Sequence, residues 1–197
     1  MHKETLSGSQ SLELIQTMIN RARNQFSENG HLYLVWGWVV LICSIAEFIL
    51  IHFLDYQKHY LVWMLTWLAV IYQFFYLYKN RKRQKVKTYT GEIVSYVWIT
   101  FFVLLLLIIF ISSSKPEKNI GLMSPFILAL YGMPTFLSGK ILQFPPLVLG
   151  GIGCWVLAVI SLYVPYEFQI LFFGISVIIA WIIPGYLLRK RYQIENQ

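Results

Sequence analysis

The sequence contains little charge for its length. Asp, Glu, Lys and Arg make up 13% of the chain, about half the share typical of a soluble domain, whereas 57% of its residues are hydrophobic. A chain of 197 residues has too little interior to bury so much apolar surface in water. The shortage of charge therefore excludes an ordinary water-soluble domain and indicates a protein of the lipid bilayer.

Cysteines and catalytic motifs are also scarce. The two cysteines, Cys43 and Cys154, lie in apolar runs, and no Cys or His pair has the spacing of metal ligands. We expect both thiols to pack as small apolar groups, with no metal and no cofactor. No Walker, HExxH or GxSxG pattern occurs. His31, His52 and His59 fall near predicted span ends, where a headgroup-facing histidine is expected, so we predict no catalytic residues and no enzyme activity.

Six mostly apolar runs are each long enough to cross a bilayer as a helix. Backbone groups in hydrocarbon must bond within their own segment, so these runs predict an all-α polytopic membrane bundle. The transmembrane domain covers residues 31–197, with spans at about 33–54, 60–78, 93–112, 122–139, 145–164 and 169–188. No short apolar core with a cleavage site precedes them, so we expect the first span to direct insertion.

Lysine and arginine are distributed unevenly between the two sides of these spans. Thirteen fall on one side, and three, Lys58, Lys115 and Lys118, fall on the other. Cytoplasmic loops carry the excess of positive charge in membrane proteins. The asymmetry therefore predicts that both termini are cytoplasmic, and the expected location is the bacterial cytoplasmic (inner) membrane.

The most basic connection reads KNRKRQKVK at 79–87, between spans two and three. A basic run of this kind can bind nucleic acid. Because positive-inside bias alone predicts it at this place, we expect no nucleic-acid partner. The expected role is contact with anionic lipid headgroups, at about 1 kcal/mol per basic residue. The residues concerned are Arg81, Lys82, Arg83, Lys85 and Lys87.

Residues 1–30 are polar except for one apolar stripe. The stripe repeats at intervals of three and four residues, which predicts an amphipathic cytoplasmic helix. Its members are Leu12, Ile15, Ile19, Ala22 and Phe26. Two alternatives stay open. The helix lies in the cytoplasmic interface or against the bundle with its apolar face down, or it pairs with a partner protein or a second copy of itself.

Small residues recur at helical spacing in the later spans, which predicts close helix contacts there. They are Gly132 and Gly139 in span four, and Gly150, Cys154 and Ala158 in span five. Pro134 and Pro184 lie inside spans and are expected to kink them. The sequences that begin at the two prolines are similar, PTFLSGK and PGYLLRK. This similarity suits either a repeat of three helical hairpins or convergence of cytoplasmic span ends.

One carboxylate, Glu47, lies well inside the first span. It would sit roughly 10 Å below the outer boundary, where a charge costs up to about 3 kcal/mol. We therefore expect Glu47 to face the bundle beside Ser44 and to find hydrogen-bond donors at matching depth. The predicted donors are Thr66, Trp67 and Ser176. A buried carboxyl without a nearby cation is expected to be neutral.

Two functions remain open at this point. Glu47 is a candidate proton or cation site of a small-solute or proton-coupled transporter or channel, because ionisable residues inside membranes are functional candidates. Alternatively, Glu47 is a structural acid in a non-catalytic accessory or sensing membrane component that acts with a membrane partner or as a homo-oligomer. Coupled transporters usually carry several buried charges, and no second one is found. The sequence therefore favours the accessory or sensing component.

The amphipathic lead and the following Gly-Trp span form the stretch SLELIQTMINRARNQFSENGHLYLVWGWVV. In this stretch the chain resembles an uncharacterised group of small multi-span bacterial inner-membrane proteins. The resemblance covers about 30 of the 197 residues. It implies a location in the inner membrane and assigns no functional residue.

The charge asymmetry predicts the topology directly. Reporter fusions after Asp55, Asn80, Lys115, Lys140, Glu167 and Gln197 should alternate between outside and inside, starting outside. Paired alkaline-phosphatase and green-fluorescent reporters measure the two locations. A Gln197 fusion on the outside, or an Asn80 fusion on the outside, would overturn the six-span arrangement.

Overall fold

The structure is a computed structural model that describes residues 12–13, 16, 30–54, 56–81, 89–114 and 116–195. Within these ranges the chain is helical throughout apart from turns, and it has no strand. Leu12, Glu13 and Gln16 are helical, and the rest of the predicted amphipathic helix lies outside the described residues. The basic residues of the 79–87 connection beyond Arg81 lie outside them too: Lys82, Arg83, Lys85 and Lys87.

The helices follow one another with short connections. A 3₁₀ helix leads directly into α2, and a π-helical segment joins α6 to α7. The elements are α1 (His31–His52), the 3₁₀ helix (His59–Met64), α2 (Leu65–Arg81), α3 (Tyr89–Ser114), α4 (Pro116–Ile141), α5 (Pro145–Ser161), α6 (Tyr166–Val177), the π segment (Ile178–Ile182) and α7 (Ile183–Glu195).

Five helices are long and apolar enough to cross a membrane. They are His31–His52, His59–Lys79, Glu92–Ser114, Gly121–Ile141 and Tyr166–Arg191. The predicted class, an all-helical membrane protein, is confirmed at this level. Helix α5 has 17 residues, which corresponds to about 25 Å of helix and is shorter than an ordinary span.

Burial separates a central group of helices from two peripheral ones. In the most apolar part of Tyr166–Arg191, 56% of residues are buried, against 6% for His59–Lys79. Helix α2 packs mainly on α1, and α3 packs mainly on α4. The most extensive contact among the described helices joins α4 to α5. The apolar outer surfaces of α2 and α3 are therefore the ones that a bilayer would cover.

Glycines on α4 and α5 allow these two helices to approach closely. A Cβ atom at Gly139 would lie 2.6 Å from the backbone nitrogen of Val148. A Cβ atom at Gly132 would lie 2.8 Å from the carbonyl oxygen of Gly151 and would also meet Trp155. Larger side chains would force the backbones apart, because contacts this short leave no room for an added carbon.

The remaining small residues of α5 face the other way, toward the π segment. A Cβ atom at Gly150 would lie 2.7 Å from the Cα atom of Ala180 and 3.0 Å from the carbonyl oxygen of Ile179. Cys154 and Ala158 are buried on the same helix. The structure thus places all five of the small residues singled out in spans four and five in tightly packed surroundings.

The π segment accommodates Pro184. The N–H of Ile183 donates to the carbonyl of Ile178, five residues back, so the helix is wider than an α-helix at this point. Proline has no N–H, and its ring crowds the carbonyl four residues earlier in a regular helix. A kink was expected at Pro184, and the structure has this widened segment just before it. Helix α4, in contrast, continues through Pro134.

The two ends of the bundle are marked by separate contacts. At one end, called the Gly30 end, a Cβ atom at Gly185 would lie 3.2 Å from the carbonyl oxygen of Gly30. At the other, called the Glu167 end, Nδ1 of His52 lies 3.9 Å from Oε2 of Glu167. The Nε2 group of Gln169 caps the end of α5 there by donating to the carbonyl of Ser161, 3.0 Å away.

The contact at Gly150 generates a stability prediction. Gly150→Ala should lower the free energy of unfolding by about 1–3 kcal/mol, because the new methyl group meets backbone atoms that cannot move aside alone. Gly121→Ala is the matched control, since a Cβ atom there meets nothing within 4 Å. It should melt at the parent temperature or slightly above. Thermal unfolding in detergent measures both, and equal melting of the two variants would contradict the packing described.

Candidate functional site around Glu47

One face of α1 is buried from Leu34 to Glu47. Its residues follow spacings of three and four, which places them on one side of a helix. They are Leu34, Gly37, Val40, Cys43, Ser44 and Glu47. This face packs against α6 and the π segment. The burial of Glu47 therefore follows from its position on the same stripe as Gly37, Val40 and Ser44.

Ser44 ties α1 to the middle of α6. Its hydroxyl donates to the carbonyl of Ile170 at 2.7 Å and accepts from the N–H of Gly174 at 3.2 Å. These two backbone groups are four residues apart, so the hydroxyl contacts both the donor and the acceptor of one backbone hydrogen-bond pair of the helix. A Cβ atom at Gly174 would lie 3.1 Å from the Ser44 oxygen, so glycine suits this close approach.

Both carboxylate oxygens of Glu47 are hydrogen-bonded, although its side chain is almost fully buried. Nε1 of Trp63 donates to Oε2 at 2.6 Å. Nδ1 of His59 lies 2.8 Å from Oε1. The indole N–H is always a donor, whereas the contact with His59 requires one proton that resides on either atom. Glu47 therefore has a possible cation beside it, which the sequence prediction did not include.

Two further titratable groups interact with the charge of Glu47. Cys43 lies one turn earlier on α1, and Tyr166 is the first residue of α6. The thiol of Cys43 donates to the carbonyl of Val62 at 3.5 Å. Each of the elements that meet at Glu47, α1, the 3₁₀ helix and α6, thus brings one titratable side chain to it.

The depth of Trp63 in the bundle matches that of Glu47. The chain rises about 8 Å from Glu47 to the end of α1 at His52. A 3₁₀ helix advances about 2.0 Å per residue, so four residues from His59 descend about 8 Å again. Trp63 therefore reaches the depth of Glu47, whereas Trp67, four residues later, lies beyond it.

The other predicted partners do not bond Glu47 in this structure. Trp67 is 57% exposed on the outer side of α2. The hydroxyls of Thr66 and Ser176 donate to carbonyls three residues earlier in the chain, at Trp63 and Phe173. The polar set predicted from the sequence is therefore divided. Glu47 and Ser44 share the buried face of α1, Thr66 and Ser176 satisfy local backbone, and Trp67 faces outward.

His59 connects the buried carboxylate to the surface. About a quarter of its side chain, 24%, is exposed, against 5% for Glu47. The neighbouring Lys58 is exposed. In the opposite direction, the Trp63 ring contacts the buried Phe173 at a centroid distance of 5.9 Å. The site thus has a polar opening at the Glu167 end and apolar packing on its other side.

Chemically, this arrangement can bind and release a proton. Within the described ranges, no group of three or more His, Cys, Asp or Glu side chains could hold a metal ion. Among the amino-acid side chains, histidine is the one whose charge ordinarily changes near physiological pH. No protein-family model, curated protein or solved structure matches this chain.

The indole hydrogen bond generates a prediction with an internal control. Trp63→Phe keeps an aromatic ring but removes the donor to Oε2, which should cost about 1–3 kcal/mol of stability because a buried acceptor loses its partner. Trp67→Phe, on the exposed side of the same span, should change stability by less than about 0.5 kcal/mol. Thermal unfolding in one detergent compares them. Similar losses for both would show that Oε2 does not depend on Trp63.

Proposed function

We propose that this chain is a six-span protein of the bacterial cytoplasmic membrane that works as a non-catalytic sensing or accessory component. The observation that carries the proposal is the hydrogen bond between the buried Glu47 and the partly exposed His59. This pair binds a proton at the edge of the bundle and thereby senses the pH on that side. Anionic lipid headgroups, and a membrane partner protein or a second copy, are the proposed partners.

The six-span arrangement is supported by the course of α5. At its start, Leu147 packs with Leu188 and Tyr33 in a cluster at the Gly30 end. At its finish, the carbonyl of Ser161 bonds Gln169 at the Glu167 end. Helix α5 thus joins the two ends of the bundle despite its length of 17 residues. A short helix of this kind can cross where neighbouring helices surround it or where the bilayer is locally thin.

The orientation rests on the distribution of basic residues. Arg189, Lys190 and Lys140 belong to the Gly30 end, where α4 and α7 finish. The 79–87 connection continues from α2 at this end and adds the largest group of positive charges. Positive charge favours the cytoplasmic side. We therefore assign the Gly30 end to the cytoplasm and His59 to the outer side, and we assign anionic headgroups to Arg81, Lys82, Arg83, Lys85 and Lys87.

The proton changes the net charge of the buried pair. When the imidazole is neutral and its Nδ1–H points to Oε1, the pair carries one negative charge in apolar surroundings. When the imidazole gains a second proton, the pair becomes neutral. Burial of a net charge is costly, so the protonated pair favours the closed arrangement around Glu47. Mild acid on the outer side should therefore tighten the connection between the 3₁₀ helix and α1.

A sensing role fits this geometry better than transport. Both oxygens of Glu47 are already bonded to side chains of this chain, and the group that Trp63 contacts on its other side is the apolar ring of Phe173. A proton conduit needs polar groups that continue across the bundle. The second candidate is a proton-coupled transporter or channel centred on Glu47. The observation in its favour is that the exposed edge of His59 gives protons from outside the bundle a route to Glu47.

Histidine nitrogen NMR tests the proton site. In protein labelled with ¹⁵N-histidine in lipid nanodiscs, the ring-nitrogen signals of His59 should depend on pH and report its hydrogen bond to Glu47. In Glu47→Gln the imidazolium loses its counter-charge, so the pH-dependent change of the His59 signals should differ from that of the parent. His52, beside Glu167, is the internal control and should give the same signals in both proteins. An unaltered His59 titration in Glu47→Gln would overturn the proposal.

A flux measurement separates sensing from transport. Parent and Glu47→Gln are reconstituted into vesicles with a trapped pH dye, and a pH gradient is imposed. The sensing role predicts equal proton leak for both. A faster leak through the parent that Glu47→Gln abolishes would support the transporter instead.

A further inference from the structure

A continuous series of aromatic rings leads from Glu47 toward the Gly30 end. Successive ring centroids lie 5.9 Å, 6.0 Å, 5.0 Å, 6.0 Å and 5.7 Å apart. The rings, called the aromatic column, belong to Trp63, Phe173, Tyr131, Trp181, Trp98 and Tyr33. Separations of this size are those of directly contacting aromatic pairs.

The column begins at the proton site itself. The indole N–H of Trp63 is the donor to Oε2 of Glu47, so a change in the charge or position of the carboxylate acts on this ring directly. Phe173, Tyr131 and Trp181 are all buried. In a close-packed interior, displacement of one ring cannot be absorbed by empty space and must be taken up by the next ring.

The column then reaches the π segment. Trp181 lies inside Ile178–Ile182, stacks on Tyr131 with an angle of 27° between their rings, and donates its N–H to Thr135 at 3.1 Å. In a π segment each N–H bonds five residues back, one residue further than in an α-helix, and such segments often occur at functional sites. A displacement of Trp181 would act on the course of the helix that follows the segment.

The helix that follows the π segment contacts the beginning of α1. A Cβ atom at Gly185 would lie 3.0 Å from the side chain of Leu34. Tyr33, the last ring of the column, packs against the cluster that contains Leu188 of α7. Movement of α7 would therefore act on the first turn of α1, which the N-terminal segment precedes.

We infer that the aromatic column couples the protonation of the Glu47–His59 pair to the packing of the π segment, and through it to the opposite end of the bundle. This inference rests on the proposed proton site and names how that site is read out. The signal is mechanical, because the rings between Trp63 and Trp181 carry no chain of exchangeable protons. The groups facing Glu47 that also titrate are His59, Cys43 and Tyr166.

Fluorine NMR of the full chain tests the coupling. The seven tryptophans are replaced by 5-fluorotryptophan in lipid nanodiscs, and each signal is assigned by a Trp→Phe variant. When the pH is lowered, the Trp63 and Trp181 signals should shift with the same midpoint. Trp67, exposed on α2, and Trp155, on α5, stand outside the column and should stay constant. Glu47→Gln should abolish both shifts without altering the column.

Three other outcomes overturn the inference. If Trp63 shifts and Trp181 does not, the proton site stands and the coupling is wrong. If neither shifts, the proposed proton site fails and the coupling fails with it. Phe173→Leu removes one ring of the column while Trp155 reports the fold. This variant should keep the Trp63 shift and lose the Trp181 shift, and a retained Trp181 shift would exclude this route.

Discussion

A carboxylate inside an apolar bundle must have both of its oxygens bonded, and the arrangement of the first two spans depends on this requirement. Helix α2 is largely exposed, so its packing on α1 contributes little. Polar contacts hold it instead: His59 and Trp63 bond Glu47 near one end, and Trp36 donates to Gln73 at 2.6 Å further along. Hydrogen bonds between membrane helices contribute about 0.6 kcal/mol each on average. The peripheral span is thus positioned by a few directed bonds, which a change of charge can alter.

The central helices are held in a different way. Glycines at Gly132, Gly139 and Gly150 remove side chains from the contacts of α5, so backbones meet with little freedom to adjust. Lipid is as apolar as the helix surface, and close packing therefore contributes more than apolar burial does. The bundle combines a tightly packed part, α4 to α7, with a loosely packed second span. The Glu47–His59 pair joins the loosely packed second span to α1, and α1 in turn packs on α6.

Much of this could be predicted from particular residues. The cost of a charge in lipid predicted that Glu47 faces the bundle beside Ser44, and the apolar runs predicted the helical class. His59 and Trp63 were not found, because the sequence does not show how the connection between the first two spans sets the depth at which the second one begins. Trp67 was expected at the depth of Glu47 and faces outward instead. The π segment was also missed, since Pro184 predicts a disturbance in the helix but not whether the helix bends or widens.

The sequence distance between bonded partners has a consequence for the order of synthesis. Glu47 lies 12 and 16 residues from His59 and Trp63, so its partners emerge from the ribosome directly after it. Ser44 lies one turn from Glu47, but its hydrogen-bond acceptor, the carbonyl of Ile170, is synthesised 126 residues later. The nascent first hairpin can therefore enter the bilayer with its carboxylate already satisfied. The hydroxyl that later joins α1 to α6 is the cheaper group to leave unpaired during the rest of translation.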